Sequence, residues 1–336
     1  MRQQPLPYFR SAFYNCDLSA SPDQKLSGLA AADITATENV SSVGACAYDR
    51  TVTLDRLLSE ADLALSAAVQ TGANAWQVRT IMDSAEKAPM GQKQWKEALE
   101  TVLKDRRIAL YTQPVVKASD RNIVLHQEIF SRIILEKGEI VNAGIFIPVA
   151  ERLKLVSALD RMIIEEITKL DRNELGADTI AVNLSPSSLQ DESFVEWIRK
   201  TLVNLPVGAP KMIFEFPEFG AVQNENLLRS FSAVIRECGH KMGLDHYGQS
   251  GGNLKYLQSL RPDYVKIDRA YTGELKDEES DSRFFISSMC SVAHSIDVVV
   301  IAEGVETEKQ LQLLHELNID AVQGYIIEKS KPVTKK

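Results

Sequence analysis

The sequence predicts an α/β fold: a closed, TIM-like (β/α)8 barrel from residue 108 onward, preceded by a smaller α/β segment. Three observations predict it. Eight short apolar segments alternate with amphipathic helical stretches between residues 108 and 333. Each segment carries one polar or charged residue at its end: Gln113, Glu128, Asn183, Glu215, Asp245, Lys266, Glu303 and Gln323. The first two segments are joined only by Lys117 to Asn122, too short for a crossover helix, so these two strands run antiparallel. A parallel barrel gathers the C-terminal ends of its strands at one mouth. Residues as distant as Glu128 and Gln323 therefore share a pocket. Four acids, amides and a lysine suit a divalent cation and phosphate rather than an apolar ligand.

The elements follow in order. Residues 17–40 are rich in Ser, Ala, Asp and Thr with weak periodicity. Ser41 to Tyr48 reads as a strand of small residues. Leu54, Leu58, Ala61, Leu65 and Ala68 line one face of a helix that Gly72 and Asn74 end. Asp83 to Gly91, with Pro89, reads as a linker, and Trp95, Leu99, Val102 and Leu103 mark a lead-in helix. The domains are thus 1–85, a linker and helix over 86–107, and the barrel over 108–333. Barrel strands are expected at Ile108–Val116, Ile123–Phe130, Thr179–Leu184, Lys211–Phe216, Lys241–Asp245, Tyr264–Ile267, Val298–Ala302 and Ala321–Gln323. Helices are expected near 155–170, 191–203, 224–238, 281–296 and 307–317.

Bulk properties narrow the function. The chain has 336 residues, 44% hydrophobic and 25% charged, which is ordinary for a soluble protein of one large and one smaller domain. A formal net charge of -8 argues against gripping a DNA or RNA duplex. It does not argue against a small anionic nucleotide held through a metal ion, where the local field decides. Cys16, Cys46, Cys238 and Cys290 form no Cys-x-x-Cys pair and read as reduced thiols. With neither a membrane-length apolar run nor a signal-peptide pattern, the expected location is the cytoplasm.

Several motifs recur in order and resemble the EAL domain, the cyclic di-GMP phosphodiesterase and receptor family, over residues 92 to 333. Gln113-Pro114-Val115-Val116 resembles its first-strand QPI, and Glu128-Ile129-Phe130-Ser131-Arg132 resembles E-A-L-x-R. Val182-Asn183-Leu184-Ser185 matches VNLS, Glu215-Phe216-Pro217-Glu218 resembles E-I-T-E, and Asp245-His246-Tyr247-Gly248 resembles D-D-F-G. Lys266-Ile267-Asp268, Ala302 to Thr307 and Gln323-Gly324-Tyr325 match KID, AEGVET and QGY. The N-terminal part resembles the second half of a GGDEF domain: Ser42-Val43-Gly44 is similar to its S-x-G strand, and Leu58 to Leu65 to its L-x-x-A-D-x-A-L-Y helix, with Ser66 in place of the tyrosine. The GGDEF signature is absent, so no diguanylate cyclase activity is expected.

The resemblance implies roles. Glu128, Asn183, Glu215 and Asp245 would ligate a first Mg2+ or Mn2+ ion. Lys266 would hold the attacking water, with Glu303 beside it and Gln323 in the water network. Arg132 would meet a phosphate, Glu306 a guanine edge, and Gln113 would contribute to the cyclic di-GMP site. Glu218 would brace the loop after Asp245. Taken singly, each residue has a plainer reading: a solvated cap, a turn residue, a surface lysine. The ordered set points to a site.

Two departures bear on activity. His246 replaces the family's second aspartate, which binds the second metal, and Gln249-Ser250-Gly251-Gly252-Asn253 replaces T-G-Y-S-S, a loop that ties dimerisation to metal binding. Histidine can ligate through a neutral nitrogen but removes a negative charge and prefers softer metals than Mg2+. The layout is similar to membrane-tethered GGDEF–EAL receptors of the LapD kind, which implies a homodimer through the EAL domain and leaves room for a protein partner and a membrane anchor on a longer protein. Three readings follow: a cyclic di-GMP receptor with weak or lost hydrolysis, an active metal-dependent phosphodiesterase producing pGpG, and a nucleotide-free scaffold acting through a protein partner.

Overall fold

The computed structural model describes residues 43–47, 61, 64, 65, 68, 76–80, 90–248, 255–275 and 281–333. The chain divides into two compact units, Met1–Gly91 and Gln92–Lys336. In the first, strands β1 (Val43–Ala47) and β2 (Trp76–Thr80) pair in parallel. Parallel pairing needs a crossover, and Ala61, Ala64, Leu65 and Ala68, all helical, lie between the two strands in sequence. A Cβ at Gly44 would collide with the backbone N of Leu65, so glycine lets strand and helix backbones touch. The low-complexity stretch 17–40, the helix end at Gly72 and Asn74, the linker up to Pro89, and Cys16 lie outside the described residues.

The second unit opens with helix Gln92–Asp105, whose Trp95, Leu99 and Val102 are buried. Ten strands follow: β3 (Ile108–Lys117), β4 (Asp120–Ile134), β5 (Ile140–Asn142), β6 (Thr179–Asn183), β7 (Lys211–Pro217), β8 (Lys241–Tyr247), β9 (Tyr264–Ile267), β10 (Val299–Ala302), β11 (Ala321–Val322) and β12 (Lys331–Pro332). Their order β3-β11-β10-β9-β8-β7-β6-β4, with β4 paired back to β3, closes an eight-stranded barrel. β3 is antiparallel to both its neighbours, and β4 and β6 to β11 run parallel. The expected antiparallel first pair is therefore present, turned by Ala118 and Ser119. β5 and β12 are short antiparallel additions on β4 and β3.

Two expectations are corrected. β4 runs well past Phe130 to Ile134, and Glu128 lies inside it, directly opposite Gln113 inside β3. Neither residue is a strand end. The period of two along a strand, not the chain's exit from it, brings them to the level of the mouth residues. β5 and helix Ala143–Arg152 also appear where no element is expected. Pro148 inside that helix breaks its helical signature.

Alternation explains the layering. One inward set, Val115, Ala181, Ile213, Tyr264, Ile301 and Ala321, forms a small apolar floor inside the barrel. Two residues on along β6, β7, β9, β10 and β11 stand Asn183, Glu215, Lys266, Glu303 and Gln323; two residues back along the reversed β3 stands Gln113. The opposite faces, including Val182, Phe214, Phe216, Leu244 and Val265, pack under the helices in the main core with Phe194, Phe231, Ile286 and Leu314. Gly243 of β8 lies at floor level, where a Cβ would come 2.5 Å from Cε2 of Tyr264. Gly243→Ala is therefore expected to destabilise the fold by about 1–3 kcal/mol through overpacking. Gly144→Ala, in helix Ala143–Arg152 with nothing within 4 Å of the added carbon, is expected to be neutral or stabilising by up to about 1 kcal/mol. Urea unfolding of both variants measures the contrast.

Candidate functional site

The ring of polar side chains above the floor is organised by Lys266, which is fully buried. Its Nζ lies 2.8 Å from Glu128 Oε2, 2.6 Å from Glu303 Oε1, 3.5 Å from Glu215 Oε2 and 3.9 Å from Asp245 Oδ1. Burial works against the ammonium, but Asp245, Glu128, Glu215 and Glu303 hold its pKa well above the ordinary lysine value. Glu128 is a hub. Asn183 Nδ2 donates to its Oε1 at 2.8 Å, and Gln323 Nε2 donates to its Oε2 at 2.8 Å. Tyr264 OH donates to Glu215 Oε1, while Glu215 Oε2 is buried without a hydrogen-bond donor. Burial and the neighbouring Glu128 raise the Glu215 carboxyl well above the carboxylate range. Beneath, His126 stacks on Tyr264 with centroids 5.3 Å apart and planes 11° apart, and burial together with Lys266 pushes the imidazole down to about 4.

A second cluster adjoins the first. Asp245, His246 and Glu303 each offer one ligand atom, all within 4.8 Å of one another. His246 holds a left-handed φ of 57°, uncommon for a residue other than glycine. Its backbone N–H donates to Asp245 Oδ1 at 2.8 Å, its Nδ1 lies 2.6 Å from Asp268 Oδ2, and its Nε2 lies 3.7 Å from Asp245 Oδ2. Burial would lower the imidazole, but Asp245, Asp268 and Glu303 raise it to about 9. Burial and Asp245 in turn push Glu303 up to about 7. Glu128, Glu215, Asp245, Asp268 and Glu303 thus face two cationic groups, Lys266 and His246. An excess of hard oxygen donors, one of which, Glu215 Oε2, is buried with only the Lys266 ammonium at 3.5 Å and no hydrogen bond, fits a divalent cation.

The remaining expected residues lie around this centre. Arg132, four residues past Glu128 on β4, has its guanidinium 3.6 Å from the Tyr111 ring centroid and donates to Ser330 Oγ at 3.3 Å. Gln113 is buried, and its Nε2 donates to the backbone oxygen of Glu328 at 2.7 Å. Glu306 is exposed in the turn after β10, and its backbone N–H donates to Gln310 Oε1. Glu218, buried at the start of helix Glu218–Gln223, accepts from Tyr256 OH and, at 3.2 Å, from Gly248 N–H in the loop after Asp245. The structure therefore joins Glu128, Asn183, Glu215, Asp245, Lys266, Glu303 and Gln323 through direct polar contacts. His246 stands at their edge, and Gln113, Arg132, Glu218 and Glu306 make other contacts.

Sequence reasoning missed Asp268, Tyr264 and Tyr111. The first two stand two residues either side of Lys266, so strand parity alone would have placed them on its face. Tyr111 is likewise two residues before Gln113.

Residues 95–330 match the EAL domain family. The chain is 27% identical over 285 residues to the cyclic di-GMP phosphodiesterase PdeB of Shewanella oneidensis, across 84% of this chain and 33% of that protein. It is 28% identical over 238 residues to the cyclic di-GMP phosphodiesterase PdeF of Escherichia coli, across 70% of this chain and 31% of that protein. The chain spans about a third of the length of these curated relatives. Among solved structures, the S helix-GGDEF-EAL portion of Vibrio cholerae LapD bound to c-di-GMP superposes with a TM-score of 0.71 at 28% identity, across 84% of this chain and 68% of that one. The FimX EAL domain from Pseudomonas aeruginosa superposes with a TM-score of 0.63 at 21% identity, across 70% and 96%, and shows the same fold. The family match runs from the lead-in helix to the last loop and takes in every side chain of the buried polar ring: the chain belongs to the EAL domain family.

Proposed function

We propose that this chain is a cyclic di-GMP signalling module whose barrel mouth binds the nucleotide, with hydrolysis weakened by His246. The observation that carries this reading is the buried ring in which Glu128, Glu215, Asp245 and Glu303 surround Lys266. A purely structural barrel gains nothing from four carboxylates converging on one ammonium in its interior, since apolar side chains of similar volume pack there at lower cost. Relatives that share the fold are cyclic di-GMP phosphodiesterases or bind c-di-GMP.

Glu128, Asn183, Glu215 and Asp245 would hold a Mg2+ or Mn2+ ion, and Asp245, His246 and Glu303 a second position. A divalent cation bound there polarises a phosphoryl oxygen and lowers the pKa of a water. The residues do the rest. Lys266 places a fixed positive charge where negative charge develops, and Glu303, at 2.6 Å, holds that ammonium in place. Gln323 and Asn183 orient Glu128. Arg132, stacked on Tyr111, presents a guanidinium to a phosphate, and exposed Glu306 presents a carboxylate to a guanine edge. Gln113 supports the mouth by tying β3 to the loop at Glu328. Glu218 fixes the loop after Asp245 through Gly248.

An active phosphodiesterase producing pGpG is the second reading. The convergence of Asp245, His246 and Glu303 within 4.8 Å favours it, because imidazole is itself a competent ligand for Mn2+ and softer metals. The nucleotide-free scaffold accounts for neither Arg132 nor Glu306. The first unit is proposed to be a partial GGDEF-like segment without cyclase residues, and the assembly a homodimer through the EAL domain.

Three outcomes test these proposals. Arg132→Ala and Glu306→Ala are each expected to weaken cyclic di-GMP binding about tenfold or more, measured by calorimetry; titration curves that match the parent for both would favour the scaffold. Turnover to pGpG is expected to be slow in Mg2+, faster in Mn2+, and much faster in His246→Asp, each 1.36 kcal/mol of barrier being tenfold in rate. Parent turnover in Mg2+ that equals the variant's would make this an ordinary phosphodiesterase. The third outcome concerns pH. The His246 pKa is raised from 6.5 to about 9, so its ion pairs contribute stability fully below pH 6.5 and lose it as pH rises through about 9. Metal binding through a neutral imidazole has the opposite sign. Mn2+ affinity is expected to climb between pH 7 and 9 in the parent and to lose most of that climb in His246→Asp.

A further inference from the structure

Outside the polar ring, a buried acid with no part in it closes on the chain just after Asn183. Asp160, on helix Val156–Ile167, is 3% exposed. Its Oδ2 accepts from Ser188 Oγ at 2.6 Å and from the backbone N–H of Ser185 at 3.3 Å. Ser185 Oγ donates to Glu151 Oε1 at 2.6 Å, from the neighbouring helix Ala143–Arg152, and accepts from Ser187 N–H at 3.2 Å. Two acids on two helices thus grip a short segment that starts two residues after Asn183.

The other side of Asn183 is fixed by the barrel itself. It pairs with Glu215 across β6 and β7, and Leu184 N–H donates to Glu215 O at 2.9 Å. The Asn183 amide then reaches Glu128 Oε1. β6 ends at this residue, so the sheet ladder does not restrain the backbone beyond Leu184. A serine cap would suffice to start the short 3-10 turn Pro186–Gln190, and Ser185 already supplies it. A buried carboxylate is a costly addition to that cap, because burial disfavours the charged form. Burial indeed lifts the Asp160 carboxyl to about 7, against the pull of Ser188 and Ser185. Its two acceptor bonds restrain the segment in two directions at once.

We propose that Asp160 is a positioning residue: through Ser185 and Ser188 it sets where Asn183 presents its side chain at the cation site. The inference rests on the reading of Asn183 as part of that site. Groups hydrogen-bonded directly to a metal ligand commonly change metal affinity about 10–100-fold when lost, and Asp160, acting through the chain at Ser185 and Ser188, is expected at the lower end of that range.

The test is Mn2+ binding to the full chain by calorimetry, alongside thermal melting. Asp160→Ala is expected to weaken Mn2+ about tenfold in the folded protein, and Asp160→Asn, which keeps an acceptor oxygen, to recover most of that loss. The double variant Asp160→Ala/Asn183→Ala is expected to bind no more weakly than Asn183→Ala alone, since the two changes act through one ligand. If Asp160→Ala does not fold, Ser188→Ala gives the same direction with a smaller loss. Full additivity, or a lowered melting temperature with unchanged Mn2+ affinity, would overturn the proposal and leave Asp160 as a helix tie. If the parent itself binds no Mn2+, the cation-site reading fails, and the positioning role is then read from the Asn183 side-chain amide resonances, identified by their loss in Asn183→Ala. Those resonances shift in Asp160→Ala and return in Asp160→Asn if the role is real; if they do not move, it is not.

Discussion

A single ammonium buried among four carboxylates sets the terms for this barrel. Lys266 has no access to water, so its charge is tolerable only while Glu128 on β4 and Glu303 beyond β10 stay within 2.8 Å and 2.6 Å of it. Removing one partner of such a pair costs about 3–5 kcal/mol, whereas the exposed pairs on the helices contribute about 1 kcal/mol at most. The register of β4, β9 and β10 is thereby tied to one atom. A slip of one residue in any of these strands would turn the charge toward the helices and an aliphatic side chain toward the mouth.

The floor beneath the ring follows from the same requirement. Charges placed over open space would draw water from both sides. Tyr264, His126 and the aliphatic residues around them seal the lower side, and the tyrosine hydroxyl also fixes one oxygen of Glu215. Gly243 leaves the room that ring needs. Polar chemistry above and tight packing below are consecutive inward positions of the same strands. His246 marks where this economy changes. With Asp268 on one nitrogen and Asp245 facing the other, the imidazole brings a positive charge to a place where a carboxylate would have brought a negative one.

Much of this was legible in the chain. The alternation of β6, β7, β9 and β10 is clean, each with a small or apolar residue followed two positions later by Asn183, Glu215, Lys266 or Glu303. The short Ala118-Ser119 turn required the antiparallel first pair. Other features were not legible, for identifiable reasons. Glu128 read as lying near a strand end because the expected strand stopped at Phe130, whereas β4 continues to Ile134 with β5 paired to Arg132, Ile133 and Ile134. Gln113 was expected at the cyclic di-GMP site from the resemblance alone, and the sequence holds no sign that its amide also reaches the backbone of Glu328, a partner 215 positions away. Asp160 could not be read at all. In the sequence it is one acid in an amphipathic helix, and only packing brings Ser185 and Ser188 to it.

The reversed direction of β3 carries a consequence for the order in which the molecule assembles. β3 and β4 form a local hairpin, available as soon as about the first two barrel strands exist. The other edge of β3 must wait for β11, whose residues Ala321 and Val322 pair with Lys117 and Val116 across almost the whole length of the domain. The next residue after that late strand is Gln323, which completes the donors around Glu128. During synthesis the seam stays open until the last barrel strand has emerged, and the polar ring stays one member short for as long. Closure of the seam and completion of the site are then a single event, so a partly made chain exposes its acids without the arrangement that gives them a use.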